Sequence, residues 1–305
     1  PPVGGFRNHD GLLQMDQPAK RKMIRPSQGV HLVLDRSFLP GDHAIMIPKT
    51  SDGRVLFCVP WHDKIVVGTT DTLREHPELE PEALEKEIAF ILETAQAYLS
   101  KQPQRSDVLS VYAGLRPLAA PSEEGKSTKE ISRSHKIMVS ASGLVTITGG
   151  KWTTFRKMGE DTVDRVIRLA GLKPSVSRSA KLRLHGYRPH PDLSDPRYVY
   201  GSDQDKLAEL ETADPSLQEQ LHPQFPFTRS QVVFAVREEM ARNVDDFLSR
   251  RIRILLLDSE AAQAMAPVVA QLMAQELGKD QAWVDQQITD FHAIVQRYRL
   301  NPAQI

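Results

Sequence analysis

A change from strand-like to helical patterning near residue 188 most constrains how this chain folds. Before it, four short apolar runs follow one another closely, at residues 30–34, 44–47, 55–59 and 65–67. Asp52-Gly53 between the second and third runs supplies the positive φ that a tight hairpin turn needs. After residue 188, apolar residues recur mostly at helical spacing. The pattern predicts an antiparallel sheet followed by a helical domain, an α/β plus α fold.

Periodicity and capping residues predict the remaining elements. Helices are expected at residues 81–102, 151–169 and 232–247, and two more begin at Ser259 and Asp280. Thr228 and Gln231 form a capping-box pattern, and Pro267 is expected to interrupt or kink its helix unless it lies in the first turns. A hairpin is predicted around Gly143. The helix after Lys151 has a stripe expected to be buried, which consists of Val163, Val166, Ile167 and Ala170.

Composition excludes several classes of function. The 305 residues correspond to two domains at about 100–200 residues each. Thirty-nine basic residues balance thirty-nine acidic ones, which argues against a nucleic-acid binder that relies on bulk positive charge. Cys58 is the one cysteine, so the chain forms no internal disulfide, and a reducing compartment is expected. The ten histidines show no metal-ligand spacing, so no metal site is predicted, and no apolar run is long enough to cross a membrane.

The motif most indicative of chemistry is the segment from Gly149 and Gly150 to Lys151. Two glycines at a strand end allow another molecule to approach the backbone closely. The helix that follows directs free N–H groups and the positive end of its dipole at that molecule. The segment therefore predicts an anion or electron-rich acceptor site, to which Lys151 adds a charge. The alternative is an ordinary strand–turn–helix with a surface lysine.

Other polar residues near strand ends are weaker candidates. Arg116 and Arg133 have guanidinium groups suited to gripping a phosphate, but each is also a common surface residue. His31 lies in a strand-like run, where a histidine is more often structural than catalytic. Thr69 and Thr70 offer hydroxyl groups at the end of another strand, where a polar turn is the alternative.

Four runs occur together in one order and carry a resemblance. They are Arg25-Pro26-Ser27-Gln28-Gly29-Val30-His31-Leu32, Val66-Val67-Gly68-Thr69-Thr70-Asp71-Thr72, Ala113-Gly114-Leu115-Arg116-Pro117-Leu118 and Gly149-Gly150-Lys151-Trp152-Thr153-Thr154-Phe155-Arg156-Lys157. In these runs the chain resembles the FAD-dependent glycerol-3-phosphate dehydrogenases of the aerobic, respiratory type. Phe155 and Gly159 stand where that family usually has Tyr and Ala. The family's Gly-rich FAD loop is not in this sequence, which implies the C-terminal part of a longer enzyme.

The resemblance implies a function and roles for named residues. The family oxidises sn-glycerol 3-phosphate to dihydroxyacetone phosphate by hydride transfer from C2 to FAD, and the electrons pass to a quinone. His31 would take or orient the C2 hydroxyl proton, since its pKa range suits proton transfer. Arg116, Arg133 and Lys151 would bind the phosphate, with Lys151 between substrate and flavin. The flavin would contact residues of two segments, which are Gly149, Gly150, Lys151, Trp152, Thr153 and Thr154, together with Thr69 and Thr70.

The same resemblance implies an architecture and a location. Residues 1–177 would form the remainder of a Rossmann-like FAD domain with an antiparallel sheet on the substrate side. Residues 178–305 would form a linker and a helical C-terminal domain, which either docks onto the catalytic domain or self-associates as a homodimer. Members of this type are cytoplasmic proteins bound peripherally to the inner face of the cell membrane. Two alternatives stay open: a glycerophosphate oxidase that reduces oxygen, and a non-catalytic anion-binding fragment.

Overall fold

Six strands form the main sheet of the protein. The computed structural model describes residues 11–18, 24–51, 53–76, 78–119 and 135–300. The strand order is β2-β3-β4-β1-β5, and β6 also pairs with β1. Every pairing along this order for which the register is known is antiparallel. The strands are β1 (Ile24–Asp35), β2 (Ile45–Ile47), β3 (Leu56–Trp61), β4 (Lys64–Gly68), β5 (Thr72–Leu73) and β6 (Val108–Ala119).

The four predicted strands of the first half are confirmed, and so is the hairpin that joins β2 to β3. Gly53 has a φ of 76° in the turn. His62 and Asp63, with φ values of 46° and 60°, make the next turn between β3 and β4. The predicted hairpin around Gly143 is also present, as β7 (Lys136–Val139) and β8 (Val145–Thr148).

Two helices belong to the first part of the chain. Helix α1 (Glu85–Tyr98) lies between β5 and β6, and α2 (Phe155–Leu169) follows β8 after a 3₁₀ turn (Trp152–Thr154). The C-terminal region contains the hairpin of β9 (Gln220–His222) and β10 (Phe225–Thr228). Its helices are α3 (Gln204–Ala213), α4 (Arg229–Glu238), α5 (Ile254–Leu257), α6 (Ser259–Leu277) and α7 (Gln281–Gln296). Within the described residues, no helix is both long and apolar enough to cross a membrane.

Several predicted helix boundaries were wrong. The helix expected at residues 81–102 is α1, which begins only at Glu85 because Glu87 turns back to accept the Leu84 N–H at 3.0 Å. The helix expected at 232–247 ends at Glu238, since Met240 has a φ of 57°. A π-helical turn (Asp246–Arg251) follows. Pro267 does not interrupt α6, which runs on through it.

The predicted buried stripe of α2 was wrong as well. Val163 is 56% exposed, Val166 and Ala170 are exposed, and Ile167 is half-buried. The helix packs against β8, and a single hairpin covers only the side of a helix that faces it. The apolar spacing correctly predicted a helix, but not one with a buried face.

Contacts divide the chain into two compact units that interleave along the sequence. Unit 1 consists of Pro1–Gly29, Asp71–Pro81 and Ala113–Arg183, and unit 2 of Val30–Thr70, Glu82–Tyr112 and Leu184–Ile305. Within unit 2, buried hydrogen bonds join the sheet to the helices: Ser110 Oγ donates to Leu255 O and Ser259 Oγ donates to Leu109 O, both at 2.8 Å. The units therefore do not follow the linear division at residues 177 and 178, which stays a prediction.

The larger core belongs to unit 2. Val30, Leu32, Val33 and Leu34 of β1 are completely or almost completely buried. In the C-terminal region, α6 packs against α4 and α7 around an apolar cluster that includes Phe247 and Phe291. Asp280 caps α7 by accepting the Trp283 N–H at 3.0 Å, as its position predicted.

Candidate functional site

His31 of unit 2 is held between a glycine and a tyrosine. It lies on β1 opposite Gly68 of β4, and a Cβ on Gly68 would come within 2.5 Å of the His31 Cδ2 atom. The ring of Tyr112 stacks on the imidazole, with the ring centroids 5.2 Å apart and an angle of 18° between the ring planes. The imidazole is half-buried. These contacts fix the orientation of a side chain that can accept or donate a proton.

Tyr112 is a residue that the sequence reasoning did not single out. Burial raises the pKa of its phenol to about 12, so the hydroxyl stays protonated at neutral pH. Its position on β6 in a strand-like run gave no functional signal. The signal exists only in three dimensions, where its ring meets His31.

Thr70 belongs to a buried hydrogen-bond chain in unit 2. Its Oγ1 accepts the Val30 N–H at 3.0 Å and donates to Glu87 Oε1 at 2.8 Å. Glu87 is 3% exposed and Thr70 is 1% exposed. The Thr70 hydroxyl is therefore committed to holding β1 and α1, while Thr69, which is half-buried, donates to Thr70 O at 3.3 Å. The flavin-lining roles of Thr69 and Thr70 stay predictions, and the Thr70 hydroxyl already makes two hydrogen bonds, to Val30 and Glu87.

Arg116 of unit 1 lies directly against Gly29. A Cβ on Gly29 would come within 2.3–2.6 Å of the guanidinium atoms, so only glycine leaves room for this position of the side chain. Nearby in the chain, Ser27 Oγ donates to Asp71 Oδ1. Arg133 lies outside the described residues.

The Gly149–Lys151 turn of unit 1 uses two left-handed glycines. Their φ values are 78° and 77°, a region that side chains rarely adopt. A Cβ on Gly150 would also come within 2.5 Å of Met158 Sδ. After the turn, the Lys151 N–H donates to Thr154 Oγ1 at 3.0 Å, and the same hydroxyl donates back to Lys151 O at 2.9 Å. The side chain of Lys151 is exposed at the start of the helix.

Some backbone N–H groups of the 3₁₀ turn at Trp152–Thr154 can still bind a ligand, whereas others already bond within the turn. The Thr154 N–H donates to Lys151 O at 2.9 Å, so this amide is already engaged within the turn, and the flavin contact of Thr154 stays a prediction. Trp152 is 87% exposed, and its ring stacks on Phe155 at 5.9 Å. The N–H groups of Trp152 and Thr153 belong to the helix start, where no carbonyl of the same helix precedes them. Two glycines, two such amides and a lysine fit the electron-rich edge of a flavin ring.

Three carboxylates on α2 form a cluster that the sequence reasoning missed. One oxygen each of Glu160, Asp161 and Asp164 lies within 4.8 Å of the others. Lys157 Nζ is 2.8 Å from both Glu160 and Asp161, and these hydrogen bonds lower the pKa of both carboxyl groups. His135 Nε2 is 2.9 Å from Asp161. The Lys157 ammonium accounts for two members of the cluster, and all three carboxylates lie within about one turn of the helix.

Known proteins match the chain over nearly its whole length. A family model described as FAD dependent oxidoreductase matches residues 7–156, and one described as the C-terminal domain of alpha-glycerophosphate oxidase matches residues 189–284. The mitochondrial glycerol-3-phosphate dehydrogenase SDP6 of Arabidopsis thaliana is 37% identical over 298 residues, which cover 88% of this chain and 47% of the relative. The chain belongs to the FAD-dependent glycerol-3-phosphate dehydrogenase family.

Further relatives agree with this assignment. The mitochondrial glycerol-3-phosphate dehydrogenase of Homo sapiens is 33% identical over 296 residues, which cover 89% of this chain and 40% of the relative. The X-ray structure of the glycerol-3-phosphate dehydrogenase from Bacillus halodurans complexed with FAD has a TM-score of 0.76 at 25% identity, and the match covers 97% of this chain and 62% of that one. The α/β plus α fold is thereby confirmed. The chain spans less than half the length of these curated relatives.

The structure distributes the predicted dehydrogenase residues over both units. Unit 1 contains Arg116 and the turn of Gly149, Gly150, Lys151, Trp152, Thr153 and Thr154. Unit 2 contains His31, Thr69 and Thr70. The roles of the individual residues in either unit stay predictions.

Proposed function

We propose that the enzyme to which this chain contributes oxidises sn-glycerol 3-phosphate to dihydroxyacetone phosphate, with FAD as hydride acceptor and a quinone as the next electron acceptor. The observation that carries the proposal is the Gly149–Gly150–Lys151 turn, whose left-handed glycines lead into an exposed helix start. Its amides and lysine suit a group that gains negative charge on reduction. The names of the relatives supply the substrate, and the FAD complex of the similar solved structure supplies the cofactor.

Arg116 and Lys151 bind the substrate phosphate in this proposal. A guanidinium offers paired N–H donors that match phosphate oxygens, and an ammonium adds a mobile point charge. Gly29 supports this role for Arg116 because it leaves the guanidinium free to lie flat against the strand backbone. Arg133 is a third phosphate ligand by its position in the sequence.

His31 is the general base in this proposal. Bound FAD supplies a hydride acceptor for the hydrogen on C2. His31 accepts the proton of the C2 hydroxyl, so that the carbon–oxygen single bond becomes the ketone. The stacked Tyr112 ring and the bare backbone of Gly68 hold the imidazole in place for this transfer.

Kinetics of charge-removing variants test the phosphate site. In the full-length enzyme, Arg116→Ala and Lys151→Ala are each expected to lower kcat/KM about 10–100-fold, since each removes a charge-assisted hydrogen bond of roughly 1.5–3 kcal/mol. Arg178→Ala and Lys173→Ala remove the same charges from exposed positions of unit 1 and serve as matched controls. The non-catalytic alternative predicts unchanged kinetics in all four variants, and that result would overturn the site assignment.

The visible absorbance of the purified chain tests the cofactor directly. The spectrum is recorded before and after anaerobic addition of glycerol 3-phosphate. A flavin spectrum that bleaches supports both FAD binding and substrate oxidation by this chain. A colourless protein would show that these 305 residues do not retain FAD on their own.

One finding favours a second candidate, a glycerophosphate oxidase. The model that matches residues 189–284 is described as a domain of alpha-glycerophosphate oxidase. The two candidates differ in the acceptor and are separated by product analysis. Stoichiometric hydrogen peroxide with oxygen as sole acceptor identifies the oxidase, whereas quinone reduction without peroxide identifies the dehydrogenase.

A membrane surface is the partner that a quinone acceptor requires. We expect peripheral attachment, because quinones reside in the lipid phase and a quinone-reducing enzyme must reach its surface. Co-sedimentation of the full-length enzyme with lipid vesicles, with release by high salt, is the expected result. An enzyme that stays in the supernatant yet reduces a lipid-embedded quinone would contradict this attachment.

A further inference from the structure

A cavity of about 350 Å³ lies in unit 2, and none of the residues assigned above lines it. The turn between β3 and β4 forms one wall, and β10 with the loop before α5 forms others. The lining combines apolar rings with cationic and hydrogen-bonding groups. Those that carry the argument are His62, Lys64, Tyr200, Phe225, Phe227 and Arg253.

Two of its cations face aromatic rings instead of carboxylates. The Arg253 guanidinium carbon lies 5.4 Å from the centre of the Trp61 ring, and Lys64 Nζ lies 5.4 Å from the centre of the Phe225 ring. Within the described part of the chain, neither makes an ion pair within 4.0 Å. Arg251, which also lines the cavity, differs because Glu239 and Asp246 lie within 4.0 Å of it. Both positive charges therefore lack a carboxylate within 4.0 Å. The charge of Lys64 acts on Asp35, its partner residue on β1, only from farther away, where it contributes to lowering the pKa of that carboxyl group.

Hydrogen-bond donors complement these charges. The Tyr200 hydroxyl accepts a hydrogen bond from Gln231 Nε2 at 3.0 Å, and burial raises the pKa of this phenol, so its own proton stays available to donate. Burial and the charge of Arg253 lower the pKa of His62, which leaves the imidazole neutral with one N–H. Asp63 contributes one exposed carboxylate to the lining, against the two cations Lys64 and Arg253.

We propose that this cavity binds a small anion with an aromatic body, such as an aromatic carboxylate, sulfonate or phosphate. Arg253 and Lys64 bind the anionic group, and the Tyr200 hydroxyl donates to it. The rings of Phe225 and Phe227, which stack at 6.3 Å, provide the apolar wall for the aromatic body. The site is independent of the proposed oxidation, since it uses neither His31, Arg116 nor Lys151.

Fluorescence titration with two probes of nearly the same shape tests the proposal. The full chain is titrated with 1-anilinonaphthalene-8-sulfonate and with the uncharged N-phenyl-1-naphthylamine. We expect the sulfonate to bind more tightly. Arg253→Gln and Lys64→Gln are each expected to raise the Kd of the sulfonate at least about tenfold, the cost of a lost charge-assisted hydrogen bond. Neither change should affect the Kd of the neutral probe.

Control variants separate this result from general charge effects and from unfolding. Lys279→Gln removes one exposed positive charge from the same unit and should leave both Kd values unchanged. Arg253→Lys and Lys64→Arg keep the charges, so they should largely restore binding of the sulfonate and show that the position tolerates substitution. Equal sulfonate affinity in Arg253→Gln, Lys64→Gln and the unaltered chain would overturn the proposal.

Discussion

Replacement of Thr70 by valine should destabilise unit 2 far more than its small change in shape indicates. The hydroxyl accepts the Val30 N–H at 3.0 Å and donates to Glu87 Oε1 at 2.8 Å. Val30, Thr70 and Glu87 are all at least 97% buried, so water cannot replace either bond. The variant leaves a buried amide unsatisfied and removes one partner from a buried carboxyl group.

The expected magnitude follows from these two losses. An orphaned buried donor costs about 1–3 kcal/mol, and a lost hydrogen bond to a charged group costs about 1.5–3 kcal/mol. Thr70→Val should therefore lower the free energy of unfolding by roughly 3–5 kcal/mol. Thr70→Ser keeps the hydroxyl and removes one methyl group, which costs about 1 kcal/mol.

Urea unfolding followed by circular dichroism measures both variants on the same chain. A double-mutant cycle with Glu87→Leu adds a second test, because the two residues contact each other directly. The double variant should be less destabilised than the sum of the single ones by at least about 1 kcal/mol. The reasoning is refuted if Thr70→Val costs no more than Thr70→Ser.

Three further changes have defined outcomes. Gly29→Ala should leave the urea midpoint nearly unchanged but raise KM for glycerol 3-phosphate about tenfold in the full-length enzyme, because it displaces the Arg116 guanidinium. Gly114→Ala should change neither quantity, because an added Cβ there has no neighbouring atom of the described residues within 4 Å. Burial raises the pKa of the Cys58 thiol to about 11, so the unfolded chain releases the thiol proton at a lower pH than the folded chain does. The free energy of unfolding should therefore fall as the pH rises from about 9 to 11, and it should fall less steeply in Cys58→Ala. Asp280→Ala should cost about 1 kcal/mol by urea unfolding, as expected for a lost N-cap.

Much of the fold was predictable because it depends on short-range chemistry. The strands of the first half follow from apolar runs separated by turn residues, and the capping pattern of Thr228 and Gln231 follows from spacing alone. In that cap the Gln231 side chain accepts the Thr228 N–H at 2.8 Å. Such signals act within four residues, so one sequence suffices to find them.

The wrong predictions concern features set by distant contacts. The helix after Thr228 ends early because the chain turns at Met240, which has a left-handed backbone conformation. No glycine or proline at this position indicates the turn in the sequence. The linear division at residues 177 and 178 stays a prediction. Residues 30–70 and 82–112 cluster with residues 184–305 in unit 2, which is an association of distant segments. Periodicity predicts that a segment is helical, but not which face of it other segments cover.

The candidate site shows the same limit for glycine. Gly29 and Gly68 both belong to the family motifs, and each makes room for the side chain of one candidate site residue. At Gly29 the three nearest atoms to an added Cβ all belong to the flexible end of Arg116, whereas at Gly68 the Val30 carbonyl oxygen lies 2.9 Å away. An alanine at Gly29 therefore displaces a side chain, while one at Gly68 must displace the β1 backbone next to His31. The same residue type thus accommodates a flexible side chain at one position and strand pairing at the other, and only the three-dimensional neighbours distinguish the two.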